Sequence, residues 1–333
     1  MNIAYHYFAT KTLAVLAGFS EPEAHIIAYA CQYVDEAQES EPITIYGLPE
    51  PSFERMKKDE LDPTCTGHKG LLNILYNFDD VRRKVLLPFH FMPAGWNAAH
   101  TSFNYLTKAE SPPALELVRL ALQKLRTTAA GSPFRDLELI RLGVALHTYE
   151  DTFAHQNFSA RNSKQDNAVK NPQIRVNGRV RKLPAIFVIT GFLGYSIGHG
   201  LIGTFPDRFN TRINYFDGRG KSVSVNTSTR FKTASRQVYS LLREYTQAPD
   251  DWDQIWPRYK HCQNRDQSSR SEIRKTFSTV YPEIDYQYHS LSWRHRAIKP
   301  YQPGTYVFNG DLKWIHFHHA AWDQRQYVLS FLP

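Results

Sequence analysis

The apolar helical segment that contains "ALHTYEDTFAHQ" constrains the fold more than any other part of the chain. His147, Asp151 and His155 stand four residues apart, so in a helix they form one stripe on a single face. Ile140 and Val144 extend this stripe towards the start of the helix. The pattern therefore predicts that the stripe faces the core. Two imidazoles and a carboxylate are costly to bury unless a partner satisfies them.

Metal coordination would satisfy such a stripe, because imidazole nitrogen and carboxylate oxygen are both ligands of zinc. The spacing suits a pair of metal ions, with Asp151 between them as a bridge. The alternative is that these side chains hydrogen-bond to one another, or to Tyr149 and Glu150. The triplet by itself leaves both interpretations open.

Other residues with metal-ligating side chains stand in apolar surroundings elsewhere in the chain. His6 lies near the start of the first predicted helix, and Asp35 ends the apolar face of "AYACQYVDEA". His90 stands in "LLPFHFMP", with His100 as its main rival, and His199 stands in "GYSIGHGLIG". Taken singly, each residue is more typical of ordinary structure than of a site. Together they supply the ligands that a multinuclear site requires.

Helical patterns dominate the chain and predict an all-α fold. Ser20 and Glu23 form a capping box before an apolar helical repeat. Ser111 precedes a second strong helix that has prolines in its first turn. We expect irregular structure over residues 157–182 and a loop that leads into a helix near Ser228.

We predict a single multi-helix domain over residues 1–333, with about eight helices and long loops. Residues 1–210 would form the core around the metal site, and residues 211–333 would add C-terminal helices and loops. The apolar, glycine-rich segment 183–203 is predicted to be a buried helix. It carries too many glycines for a membrane span of roughly 20 apolar residues, so no transmembrane segment is predicted.

Charge and cysteine content restrict the partners and the compartment. The net charge of +8 and the isoelectric point of about 9.2 favour an anionic partner. The cysteines Cys31, Cys65 and Cys262 are odd in number and form no CxxC motif, which argues against a disulfide framework. The first residues also lack the pattern of a signal peptide. We therefore expect a cytoplasmic location.

The order of these residues resembles that of the zinc-dependent phospholipase C and single-strand-specific zinc nuclease superfamily. "ALHTYEDTFAHQ" is similar to the "ALHxxxDxxxPxH" helix of that superfamily, and "GHG" to the start of its next histidine-containing helix. The resemblance covers about residues 1–210. It implies an all-α fold with three zinc ions in a cleft.

The resemblance also implies which residues bind the metals, with Asp151 as the bridge. The implied ligands are His6, Asp35, His90, His147, Asp151, His155 and His199. The acidic residue that the superfamily has four places after its last histidine is missing, since position 203 is Gly, and Asp207 would replace it from a loop. The superfamily also uses the amino terminus of the mature chain as a ligand. His6 follows five residues here, which makes the third metal the least secure.

The expected function is that of a zinc-dependent phosphoester hydrolase, a phosphodiesterase with two or three zinc ions. Asp151 would bridge metals, and Asp35 would ligate a metal or orient the attacking water. The substrate would be an anionic small molecule, a lipid or a single-stranded nucleic acid. The alternatives are a zinc enzyme with amide-hydrolase or lyase chemistry, and a non-catalytic, metal-stabilised helical binding protein.

Overall fold

A computed structural model describes residues 1–50, 53–67, 78–95, 105–183, 197–263 and 269–332. This part of the chain contains helices and two β-sheets. The prediction of an all-α fold is therefore wrong, because the protein has a mixed α/β fold. Within the described residues, no helix is both long and apolar enough to cross a membrane.

Most helices form where the sequence predicts them. The described helices are π-helical Ala4–Ala9 running into α-helical Thr10–Leu16 (together α1), Glu21–Glu36 (α2), Phe78–Val81 running into π-helical Arg82–His90 (together α3), Pro112–Thr127 (α4), Arg135–Ala154 (α5), Lys164–Asn167 (α6), Thr227–Thr246 (α7), Trp252–Gln263 (α8), Arg270–Val280 (α9), Ser292–Ala297 (α10) and Lys313–Leu329 (α11). The capping box of Ser20 and Glu23 starts α2 as predicted. Segment 183–203 lies largely outside the described residues, and its described end forms a 3₁₀ turn, Gly200–Ile202.

The two sheets are built from short strands. The strands are Ile43–Tyr46 (β1), Met56–Lys57 (β2), Glu60–Leu61 (β3), Lys170–Val176 (β4), Arg179–Arg181 (β5), Thr211–Phe216 (β6), Ser222–Asn226 (β7), Ile298–Pro300 (β8) and Thr305–Phe308 (β9). The first sheet has the order β2–β3–β1–β9–β8, and the second has the order β5–β4–β6–β7. Parallel pairing of Thr44 with Thr305 joins an early strand to a late one.

The second sheet contradicts two predictions. Irregular structure was expected over residues 157–182, and a loop was expected before Ser228. β4 and β5 lie in the first of these segments, and β7 lies in the second. β6 alternates between buried and exposed side chains, with Ile213 inside and Arg212 outside, which is the pattern of a half-buried strand. The short strands and their polar outer face weaken this signal, so helical periodicity dominates the sequence pattern.

The helical core is centred on the packing of α5 against α2. Gly143 makes this close approach possible, because a Cβ atom there would overlap the carbonyl oxygen of Ile27 and lie 2.7 Å from the Cβ of Ala30. The core extends to α11 through buried residues such as Phe317. A second apolar cluster, which includes Phe91 and Ile213, lies between α3 and the second sheet. The division into one domain over residues 1–333 stays a prediction.

Candidate metal centre

The structure brings the predicted ligands together from six parts of the chain. They are His6 in α1, Asp35 in α2, His90 at the end of α3, His147 and Asp151 in α5, His155 at its C-cap, His199 before the turn Gly200–Ile202, and Asp207 in the turn Phe205–Asp207. His100, the rival of His90, lies outside the described residues. The predicted residues therefore form one cluster, although their binding of metal stays a prediction.

Asp151 lies at the centre of this cluster. Its carboxylate is 3.3 Å from His6 Nε2, 3.2 Å from His90 Nδ1 and 3.4 Å from His147 Nε2. The residue is 1% exposed, so these groups face one another with almost no water between them. One carboxylate that touches several imidazoles has the placement of a bridging ligand.

A first group of three ligands surrounds Asp151 on one side. Asp35 Oδ1 is 3.7 Å from His147 Nε2 and 3.9 Å from His90 Nδ1. One ligand atom from each of these three residues lies within 4.8 Å of the others, which is compact enough for one metal ion. The Asp35 side chain is 35% exposed, so this group also reaches solvent.

A second group of three forms on the other side of the cluster. Asp207 Oδ1 is 3.2 Å from His155 Nε2, and Asp207 Oδ2 is 3.6 Å from His199 Nε2. Asp207 is 7% exposed. Asp207 thus supplies a carboxylate to this group, which Gly203 has no side chain to provide. The turn Phe205–Asp207 supplies it.

The α-amino group of Met1 and the ring of His6 form a third part of the cluster, called the third corner below. Met1 is not among the predicted ligands. Its nitrogen makes an ion pair with Asp151 and lies 3.6 Å from Asp207 Oδ1. His6 Nε2 is buried and makes no hydrogen bond to any of the described residues. The sequence indicates the position of Met1 only indirectly: His6 follows it by little more than one helical turn, so the two residues lie near each other.

Each histidine of the cluster holds one ring nitrogen against an acceptor outside it. The contacts are His6 Nδ1 to Glu150 Oε2 at 2.8 Å, His90 Nε2 to the Thr66 carbonyl at 2.9 Å, His147 Nδ1 to the Cys31 carbonyl at 2.8 Å, His155 Nδ1 to the His90 carbonyl at 2.7 Å and His199 Nδ1 to the Gly203 carbonyl at 2.6 Å. Because carbonyl and carboxylate oxygens only accept, these nitrogens donate. In a neutral imidazole the other nitrogen then carries a lone pair.

These lone pairs point at other acceptors. His147 Nε2 lies 3.2 Å from His90 Nδ1, and the Asp151 carboxylate stands beside both. Acceptors this close to one another require a cation or a proton between them. Outer hydrogen bonds that fix the tautomer of each imidazole are typical of metal-binding histidines.

The loop that holds His90 is itself fixed to the end of α2. Thr66 Oγ1 donates to the Val34 carbonyl at 2.7 Å, and the Gly67 amide donates to the Ala37 carbonyl at 2.9 Å. A side chain at Gly67 would overlap the carbonyl oxygen of Asp35. The Thr66 carbonyl is therefore held in place as the outer partner of His90.

Cys31 and Glu150 form a buried layer behind His6. The Cys31 thiol donates to Glu150 Oε2 at 3.3 Å and lies 3.6 Å from His6 Nδ1. Among the described contacts, neither Glu150 nor Tyr149 hydrogen-bonds to the triplet in α5. The Asp151 carboxylate does lie 3.4 Å from His147 Nε2 and 3.6 Å from His155 Nδ1, so the alternative that the triplet residues bond to one another stays open. Glu150 instead orients His6, which is the role of an outer-layer carboxylate.

The protons of the cluster are distributed unevenly. Burial works against a charged amino group at Met1, yet the nearby carboxylates raise its pKa to about 11. Burial likewise disfavours the charged form of His6, but the neighbouring carboxylates of Asp151 and Glu150 raise its pKa to about 9. Burial, reinforced by the positive charge of His6, lowers the pKa of His147 to about 4. The two groups at the third corner are therefore protonated near neutral pH, and His147 is not.

Metal binding is consequently expected to release protons. At pH 7.5, which is below the pKa of both Met1 and His6, metal binding at that corner should release about two protons. Affinity should fall as the pH is lowered, because protons compete for the same nitrogens. Calorimetric titration of zinc in buffers of different ionisation enthalpy measures the number of protons released. His6→Ala should release about one proton fewer, and an unchanged number would contradict this assignment.

The fold and the site together define a mixed α/β protein with a buried cluster of histidines and carboxylates suited to metal ions. A family profile described as a family of unknown function, DUF6765, matches residues 1–332, and the chain belongs to this family. No curated protein and no solved structure shows a significant match. The resemblance to the zinc-dependent phospholipase C and zinc nuclease superfamily therefore stays a prediction.

Proposed function

We propose that the protein is a metal-dependent hydrolase that holds two or three zinc ions and cleaves a phosphoester. The observation that carries this proposal is the inward direction of the histidine lone pairs. Five imidazoles are anchored from outside, and their other nitrogens face Asp35, Asp151 or Asp207. Such a shell has little purpose in a purely structural core, where apolar packing would be more stable.

The side chains present fit zinc as the resident metal. Imidazole nitrogen and carboxylate oxygen are its common ligands, together with cysteine sulfur. In the part of the chain that the structure describes, the buried Nε2 of His6 has no hydrogen-bond partner, and coordination would satisfy it. When bound, zinc ions supply a water of lowered pKa and neutralise charge on a phosphate.

The residues of the chain would divide the remaining work. Asp151 would hold the metals at a fixed spacing, because its carboxylate contacts histidines from three helices. Asp35 is 35% exposed, so it can ligate a metal or accept a hydrogen bond from the attacking water. Asp207 would complete the ligand set of His155 and His199. The net charge of +8 would attract the anionic substrate.

A cytoplasmic location is also part of this proposal. Within the described residues, none of Cys31, Cys65 and Cys262 forms a disulfide. Cys31 and Cys262 are buried, and burial raises the pKa of both thiols, to about 12 for Cys262. Cysteines that do not pair in disulfides are typical of a reducing compartment.

Metal content and hydrolysis test the proposal together, with two matched histidines. His199 lies 3.6 Å from Asp207 and its side chain is 16% exposed, whereas His319 lies 3.4 Å from Asp323 and is 19% exposed. His199→Ala should lose zinc from the second group and slow hydrolysis of bis(p-nitrophenyl) phosphate by about 100-fold or more. His319→Ala should retain both the zinc and the rate. Elemental analysis and a colorimetric assay measure the two effects.

Two results would overturn the proposal. One is a purified chain that takes up no zinc, and the other is a His199→Ala variant that keeps full metal content and full activity. Parallel assays with phospholipids, single-stranded nucleic acid and an amide substrate separate the substrate classes. Zinc binding with cleavage of the amide alone would replace the phosphoester chemistry with amide hydrolysis.

A further inference from the structure

A cavity lies beside the loop of residues 63–67, whose Thr66 carbonyl accepts a hydrogen bond from His90. It has a volume of about 520 Å³, and residues of this loop, of α3 and of α11 line it. Cys65 and Gly67 form one wall, and Trp322 and Arg325 of α11 form another. The carbonyl of Cys65 accepts a hydrogen bond from Arg325, whereas the next carbonyl along the chain accepts from His90. None of the predicted metal ligands lines the cavity.

Arg325 is the notable residue of this cavity, because it is buried and forms no ion pair with any carboxylate of the described residues. It is 6% exposed. Its guanidinium donates to the carbonyl of Cys65, and its Nε has no hydrogen-bond partner. Among the described residues, no carboxylate lies within ion-pairing distance of it. Outside them the sequence contains a single acidic side chain, Asp266.

The other cations of the cavity already have partners. Arg55 makes an ion pair with Asp62, and Lys84 lies 2.9 Å from Asp80. The Arg55 guanidinium also stacks 4.4 Å above the centre of the Trp322 ring. Glu41 and Asp80 also line the cavity, but among the described residues no ion pair joins either of them to Arg325.

A buried charge without a partner is strongly destabilising. Replacing such a group with an apolar side chain of similar size should therefore leave the ligand-free fold at least as stable, which points to a role for the charge in binding a ligand. The pKa of Arg325 is lowered by burial only to about 10, so the guanidinium stays charged at neutral pH. Its fork geometry matches an oxyanion.

We propose that this cavity binds the phosphate or carboxylate group of a small ligand, with Arg325 as the residue that holds the oxyanion. Val81, Val85 and the ring of Trp322 line the same cavity and would contact the rest of the molecule. The site does not depend on the metal cluster. Its occupant would supply the counter-ion that the described part of the chain does not place beside Arg325.

Thermal unfolding in inorganic phosphate tests the proposal on the intact, zinc-loaded chain. Arg325→Met should melt no lower than the wild type without phosphate, because it removes an unpaired buried charge. Phosphate should then raise the melting temperature of the wild type more than that of Arg325→Met. Any phosphate bound at the metal cluster affects both proteins alike. Arg243 provides a matched control, because it too donates to a backbone carbonyl and has an unpartnered Nε, but lies outside the cavity.

Labelling of Cys65 gives a local second measurement. This thiol lines the cavity and is half-buried, while Cys31 and Cys262 are buried. Phosphate should slow the alkylation of Cys65 by N-ethylmaleimide in the wild type and in Arg243→Met. Mass spectrometry measures the extent of alkylation. The phosphate concentration for half protection should rise about tenfold or more in Arg325→Met.

Further arms identify the oxyanion and guard against a variant that does not fold. Phenylphosphonate and acetate in place of phosphate distinguish a phosphate-type ligand from a carboxylate. Arg325→Lys keeps the charge but loses the fork, so it should bind phosphate more weakly than the wild type. Equal stabilisation and equal protection of Cys65 in the wild type and in both Arg325 variants would overturn the proposal.

Discussion

Asp151→Asn is expected to remove the bound metal from the whole cluster and to abolish hydrolysis. The carboxylate touches the α-amino group of Met1 and the rings of His6, His90 and His147. An amide of the same size carries no negative charge and has only one acceptor oxygen, so it cannot hold several cationic groups together. We expect a loss of activity well beyond the roughly 10²–10³-fold that removal of one electrostatic contact costs in an enzyme. Elemental analysis and the phosphodiester assay measure both effects.

The neighbouring acid gives the contrast. Glu150 is fully buried and contacts His6, Thr10 and Cys31 without touching the other histidines. Glu150→Gln should weaken metal binding at the His6 corner by about 10–100-fold and leave the two other groups loaded. Circular dichroism checks that both variants are folded. If the two variants lose the same number of zinc ions, Asp151 is not the shared ligand.

Gly143→Ala is expected to destabilise the protein by about 2–3 kcal/mol, although alanine is the better helix former. The added methyl group would overlap the Ile27 carbonyl and crowd Ala30, and both are fixed parts of α2. Relief requires α2 and α5 to move apart. Because the Cys31 carbonyl in α2 holds His147 in α5, the same movement should weaken metal binding.

Gly131→Ala is the control for this substitution. A Cβ atom there meets no other atom within 4 Å, so its free energy of unfolding should change by no more than about 0.5 kcal/mol. Unfolding by urea, followed by circular dichroism with and without zinc, gives both values. Equal stability of the two variants would show that the α2–α5 contact tolerates a larger side chain.

The candidate site was readable from the sequence wherever its ligands are local to a helix. The stripe of His147, Asp151 and His155 follows from helical periodicity, and the apolar neighbours of His6 and His90 indicate that those polar side chains are buried. Two parts of the site depend on contacts far apart in the chain. The approach of the Met1 amino group to Asp151, and of Asp207 to His155, leaves no periodic pattern in the sequence.

The sequence by itself determined which side chains gather in the core and where most helices begin, because capping residues and a repeat of three to four residues act between near neighbours. Only the tertiary structure decided the sheets. β1 pairs with β9 from the far end of the chain, and backbone hydrogen bonds between strands this short leave little mark on side-chain patterns. It also decided the direction of each imidazole, because distant carbonyls such as those of Cys31 and Thr66 select the nitrogen that donates.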